Sequence, residues 1–132
     1  VIARERDALG HVSTLAGLRR WRDSLVQNNA LRHGAYGCSL GTLASEVSDN
    51  DDLARQTLSQ LFGEWQGLLA GVLRKLQDSG ALPPEASIDQ LSTGLMGAVQ
   101  GGYVLAQTAR DVTPMATSID MALAHIESLS AS

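Results

Sequence analysis

The chain has 132 residues, 44% of them hydrophobic, which fits one domain with a core of ordinary size. Its net charge of -4, from 14 acids against 10 Lys and Arg, argues against a nucleic-acid groove, because phosphate binding needs clustered basic side chains. A single Cys excludes an intrachain disulfide, no apolar run is long enough to span a membrane and no signal peptide is visible, so the cytoplasm is the simplest compartment.

The run VIARERDAL, Val1 to Leu9, reads as the tail of a helix that begins in an upstream part, with Ile2 and Leu9 on one side and Gly10 as its stop. Its charges, Arg4, Glu5, Arg6 and Asp7, are expected in solvent. From His11 to Arg32 a second helix places Leu15, Leu18, Trp21, Leu25 and Val26 on one face, with Asn28, Asn29 and Gly34 ending it. Arg22 falls near the middle of that face, either laying its stem on the core with its head in water or serving as an internal cation for an acidic ligand. The segment Gly34 to Val47 opens as a glycine-punctuated turn and becomes a short helix with Leu40, Leu43, Ala44 and Val47 at helical spacing.

Next, Asn50 with Asp51 and Asp52 forms a cap and dipole signal for a long helix to Gln77. The apolar arc of that helix holds Leu58, Leu61, Phe62, Trp65, Leu68, Leu69, Val72, Leu73 and Leu76. Gly63, Gly67 and Gly71 recur on its polar back, where each glycine weakens the helix by about 1 kcal/mol relative to Ala. Either something packs closely there, such as a second subunit, or the glycines are compositional drift. Gly80 caps this helix, and Pro83 and Pro84 stiffen the connection that follows.

The stretch from Ile88 to Arg110 has no Asp, Glu, Lys, Arg or His between Asp89 and Arg110, yet its Gln, Ser and Thr residues make it too polar for a bilayer. Ser87 and Gln90 have the form of a capping box. Leu91, Gly94, Ala98, Gly101, Leu105 and Ala109 share one small-residue face, while Met96, Val99 and Tyr103 share another. A helix with so little wet surface must be wrapped by others. Thr113 and Pro114 read as the cap and first turn of a last helix, with Met115, Ile119, Ala122, Leu123, Ile126 and Leu129 in one stripe. The fold class is therefore all-α, a bundle of about five helices over residues 1–132.

No metal spacing links His11, His33 and His125, and no nucleophile elbow, phosphate loop or dinucleotide fingerprint occurs, so neither cofactor nor metal is expected. Cys38, five residues after His33, is the one candidate nucleophile, and it lacks an orienting third residue.

Three stretches carry a family resemblance: Gly37 to Ala44 (GCSLGTLA), Gly80 to Pro84 (GALPP) and Gln100 to Asp111 (QGGYVLAQTARD). With the closing TPMATSIDMALAHI, their order resembles the C-terminal ligand-sensing and dimerisation domain of TetR/AcrR transcriptional regulators, from about His11 to Leu129. The departure is at the start, where nothing supplies the helix-turn-helix head of that family and residues 1–9 match the end of the helix that would connect it. DNA would be bound only through that absent head.

The resemblance implies a homodimer in which the last two long helices form a four-helix bundle with their mates. The candidate interface is Leu91, Gly94, Ala98, Gly101, Leu105, Ala109, Met115, Ile119, Ala122 and Ile126. It also implies an enclosed site for a small, largely apolar effector. The candidates there are Leu18, Trp21, Leu25, Phe62, Trp65, Leu69, Met96, Val99 and Tyr103, with Cys38 and Gln100 as polar contacts. The alternatives are a helical dimerisation module with a solid core, or a small cytosolic enzyme working through Cys38.

Overall fold

The computed structural model describes residues 2–30 and 52–130; the expected short helix over 34–47 and the Asn50 cap lie outside the described residues. Five helices are described: α1 (Ile2–Gly10), α2 (Leu15–Ala30), α3 (Asp52–Asp78), α4 (Ile88–Ala109) and α5 (Thr113–Leu129). No strand occurs among the described residues. The all-α expectation holds. α3 and α4 form an antiparallel hairpin, α5 folds back along α4 in the most extensive pairing, α1 lies against α3 and α2 against α5.

Side chains from all five helices meet in one buried cluster that runs from Leu9 through Trp21, Trp65, Leu73 and Val99 to Met115 and Ile126. The turn between α3 and α4 is set by Gly80 at φ +87°, a left-handed conformation that favours glycine. Gln77 Nε2 lies 3.1 Å from the carbonyl oxygens of Pro83, Pro84 and Ala86, which ties the proline connector to the end of α3. At the start of α4, Ser87 Oγ accepts the Gln90 N–H at 3.2 Å, as the capping pattern requires. Its far end closes on Arg110, in the left-handed region at φ 53° with its N–H on the Ala106 carbonyl.

Four local expectations are corrected. α2 begins only after Thr14, whose hydroxyl accepts the Gly17 N–H at 2.9 Å, so His11 to Thr14 is a link and not helix. Asn29, expected as part of the polar end of that helix, is buried and donates to Met115 Sδ at 3.1 Å. The N-cap position of α5 is Val112, which makes no side-chain cap bond, and Thr113 is already inside the first turn; two residues before it, Asp111 Oδ1 accepts both the N–H and the hydroxyl of Thr113, at 2.9 and 2.8 Å. These two bonds hold the Asp111 carboxyl below the usual range. Finally, Glu5 is buried and not solvated, at 5% exposure.

Candidate functional site

Glu5 is buried because Ile2, Glu5 and Leu9 share one helical face, and that face turns inward. Its Oε2 accepts the indole N–H of Trp21 at 2.9 Å. Burial pushes the Glu5 carboxyl above its ordinary value, against the opposing effect of the Trp21 bond and the Arg4 charge. The pair joins α1 to α2. α1 is also held to α3, by Lys75 donating to the Gly10 carbonyl at 3.2 Å and by an Arg6–Glu64 contact of 3.9 Å.

A second polar group fastens α2 to α5. Arg19 grips Glu127 with two parallel bonds of 2.8 Å and reaches Asp120 Oδ1 at 2.8 Å. Arg22 donates to Asp120 Oδ2 at 2.9 Å and to Asp23 at 2.8 Å, while its Nε sits 2.8 Å from Asp120 Oδ1 without the alignment of a true bond. The Arg19 bond holds the Glu127 carboxyl below its ordinary range, and Glu127 in turn raises Arg19. Arg22 is thus neither a head in water nor a cation awaiting a ligand; it is a helix-to-helix tie.

The residues singled out as effector contacts come together. Leu18, Trp21, Leu25, Trp65, Leu69, Met96 and Val99 belong to the buried cluster, and Phe62 and Tyr103 pack half-buried against it. Gln100 is half-buried, and Cys38 lies outside the described residues. The α3–α4 seam beside them is bridged by Gln66, whose Nε2 donates to Thr93 Oγ1 at 2.9 Å and lies 3.4 Å from Ser92 Oγ. Two buried donors stand out. The indole N–H of Trp65 and the Nε2 of Gln100 have no partner among the described residues.

The residues singled out as an interface divide. Met115, Ile119 and Ile126 are at most 1% exposed, inside this chain's own core, and Leu91 is buried as well. Ala98 and Ala122 are half-buried between α4 and α5, where Ser118 donates to the Ala98 carbonyl at 2.8 Å. Gly94, Gly101, Leu105 and Ala109 face outward. So does Gly97, whose spacing of four from Gly101 marks a place where another backbone could come close, and so do two residues outside the expected interface, Val104 (57% exposed) and, on α5, Met121 (73% exposed). A Cβ built at Gly94, Gly97 or Gly101 meets nothing within 4 Å. The backbone approach inside the chain is at Gly102 instead, where a Cβ would stand 3.0 Å from Met115 Cα.

Sequence reasoning missed Glu5, Asn29, Ser92 and Gly102. Glu5 and Ser92 had a readable signal, since Ile2–Glu5–Leu9 and Ser92–Met96–Val99 are continuous helical stripes. Arg19, Asp120 and Glu127 had none, because their pairing spans about a hundred residues of chain.

The model for the tetracyclin repressor-like C-terminal domain matches residues 14–122. The chain belongs to the TetR family, as a C-terminal domain. Two curated relatives of this TetR-family domain are HTH-type transcriptional regulators. One, from the lacX 3' region of Lactococcus lactis subsp. lactis, is 28% identical over 109 residues, covering 83% of this chain and 54% of the relative. The other, YxaF of Bacillus subtilis (strain 168), is 33% identical over 79 residues, covering 60% of this chain and 39% of the relative. The chain therefore spans about half the length, or less, of these regulators. The crystal structure of regulatory protein TetR from Rhodobacter sphaeroides superposes with a TM-score of 0.82 at 25% identity, over 93% of this chain and 67% of that one. The chain is thus similar to the C-terminal part of bacterial HTH-type transcriptional regulators. Among the described residues, no helix is long and apolar enough to cross a membrane, and no cluster of acids, His or Cys suits a metal.

Proposed function

We propose that this TetR-family domain senses a small effector and dimerises, so that effector binding alters operator binding by a helix-turn-helix head outside the chain. The observation that carries the reading is the division of α4 into two sides. One side is sealed into the core by Leu95, Met96 and Val99, and the other presents Gly94, Gly97, Gly101, Val104 and Leu105; Met121 of α5 is exposed as well. Glycine lowers helix stability, and exposed apolar side chains gain nothing from water. Both features make sense when a second copy lies across them and the small residues let two backbones approach. This supports a four-helix bundle of α4 and α5 with their mates.

The sensing half rests on the other side. Trp65, Leu69, Met96, Val99 and Tyr103 converge where α3 meets α4, and α3 is the helix against which α1 lies. An effector seated among them would press on α3 and so on the α1 contacts at Arg6 and Gly10. It can shift the arrangement of α1 only by as much as its affinity differs between the two arrangements. α1 would pass that shift to the head.

Sedimentation equilibrium of the chain tests the dimer half: a dimer at micromolar concentration is expected, and a monomer throughout overturns it. For the sensing half, a longer protein carrying the head should change its operator affinity when a ligand fills this region. Unchanged affinity with the ligand bound sinks the coupling.

A further inference from the structure

Resting on the effector reading, we infer that the effector is a neutral, largely apolar molecule with a carbonyl-type oxygen that accepts the indole N–H of Trp65, with the Gln100 amide available to a second acceptor. Trp65 is 1% exposed and its N–H has no acceptor among the described residues. Buried N–H groups are almost always paired, and an indole nitrogen can only donate, so the missing partner must be an acceptor. The contrast inside the same core is direct. Trp21, the other tryptophan, has its N–H taken by Glu5 at 2.9 Å.

Position narrows the class further. Gln66 meets Ser92 and Thr93 across the α3–α4 seam, which fixes the antiparallel register of the two helices. Gln100 lies seven residues beyond Thr93, roughly 10 Å farther along the seam at the helical rise. Phe62, Met96 and Val99 fall between these two levels along the helices and belong to or pack on the same core, so a molecule reaching both donors would be elongated and apolar between its oxygens.

Among the described residues, charge favours a neutral oxygen over a carboxylate. α4 has no Lys or Arg between Asp89 and Arg110, and Arg55, Arg74 and Lys75 of α3 are exposed. Arg19 and Arg22 are occupied by Asp120, Glu127 and Asp23. A buried carboxylate would find no counter-charge from these residues, and an unpaired buried charge is strongly disfavoured. A ketone, ester, amide or quinone oxygen carries no such penalty.

The test uses matched pairs, 9-fluorenone with fluorene and 2-acetonaphthone with 2-ethylnaphthalene, titrated into the 15N-labelled chain. Two tryptophans give two indole signals, which Trp21→Phe assigns. Each ketone is expected to bind about tenfold tighter than its hydrocarbon and to move the Trp65 indole proton downfield, a shift that the hydrocarbon does not produce. Trp65→Phe should bring the ratio within each pair close to one; the comparison on the unmodified chain needs no variant. Equal binding within each pair, or a ketone preference with an unmoved Trp65 signal, overturns the acceptor claim and leaves the effector site standing. If no probe binds up to its solubility limit, both readings fall.

Discussion

Gly101 and Gly102 are adjacent in sequence, about 100° apart around α4, and one is exposed while the other is buried. Gly102 is buried, and a Cβ there would meet Met115 Cα at 3.0 Å, so its smallness lets α5 lie close against α4. Gly101 is exposed with nothing within 4 Å, as are Gly94 and Gly97. The first glycine is explained by the fold of one chain; the other three are not. On the proposed reading, small residues within this single helix answer to two different partners, one inside the chain and one a second copy of it.

The largest effect should come from Gly102→Val. The side chain would have to displace backbone, not the end of a flexible chain, and overpacking of this kind destabilises by about 3 kcal/mol. A denaturant titration should show a lower midpoint with an unchanged slope. A wild-type midpoint would break the comparison on its inner side. Gly101→Leu sharpens the outer side. It should leave the helical signal intact, since replacing an exposed helical glycine favours the helix by up to about 1 kcal/mol. At the same time it should raise the dimer dissociation constant about tenfold or more, read by sedimentation equilibrium. Loss of folding, or a dimer as tight as before, would mean that the two glycines do not differ as described.

Smaller effects separate the bare face from the ties on the α2 side of α5. Arg19→Ala removes the grip on Glu127 and Asp120 and should lower stability by about 1 kcal/mol at most, because these groups are partly solvated. The Glu127 carboxyl is depressed in the folded state, so its contribution is present above its ordinary value of 4.5 and lost as pH falls through the folded one. Arg19→Ala should therefore flatten the acid limb of the stability profile, leaving the dimer in place. Glu5→Gln should act with the opposite sign. The folded-state value of Glu5 lies above 4.5, so its favourable contribution is complete below 4.5 and lost as pH rises through the folded value. A neutral Gln that still accepts the Trp21 N–H should be more stable than wild type at neutral pH and equal to it near pH 4. Parallel profiles for the two proteins would contradict the buried pair.

Much of the architecture was legible because helices announce themselves locally. The Ser87 cap, the Gly80 stop and the apolar arc from Leu58 to Leu76 are all written within a few turns of chain. Burial was less legible where a polar residue interrupts an apolar stripe, as at Glu5 and Ser92, since local charge says solvent while helical position says core. The face of the last helix was half legible. Its stripe through Met115, Ile119 and Ile126 is real, yet periodicity does not tell a stripe packed on its own chain from one offered to another. Trp65 and Gln100 belong to a third kind, because their unpartnered donors emerge only once the helices are assembled.

The claim on which the rest turns is that a second copy covers the bare side of α4. It is tested most directly by intermolecular nuclear Overhauser effects in a sample mixing isotope-labelled and unlabelled chains. Cross-chain contacts from the methyl groups of Val104, Leu105 and Met121, absent from Leu95 and Val99, are the predicted result. Methyl groups of that face that touch only solvent, in a sample that sediments as a monomer, would contradict it.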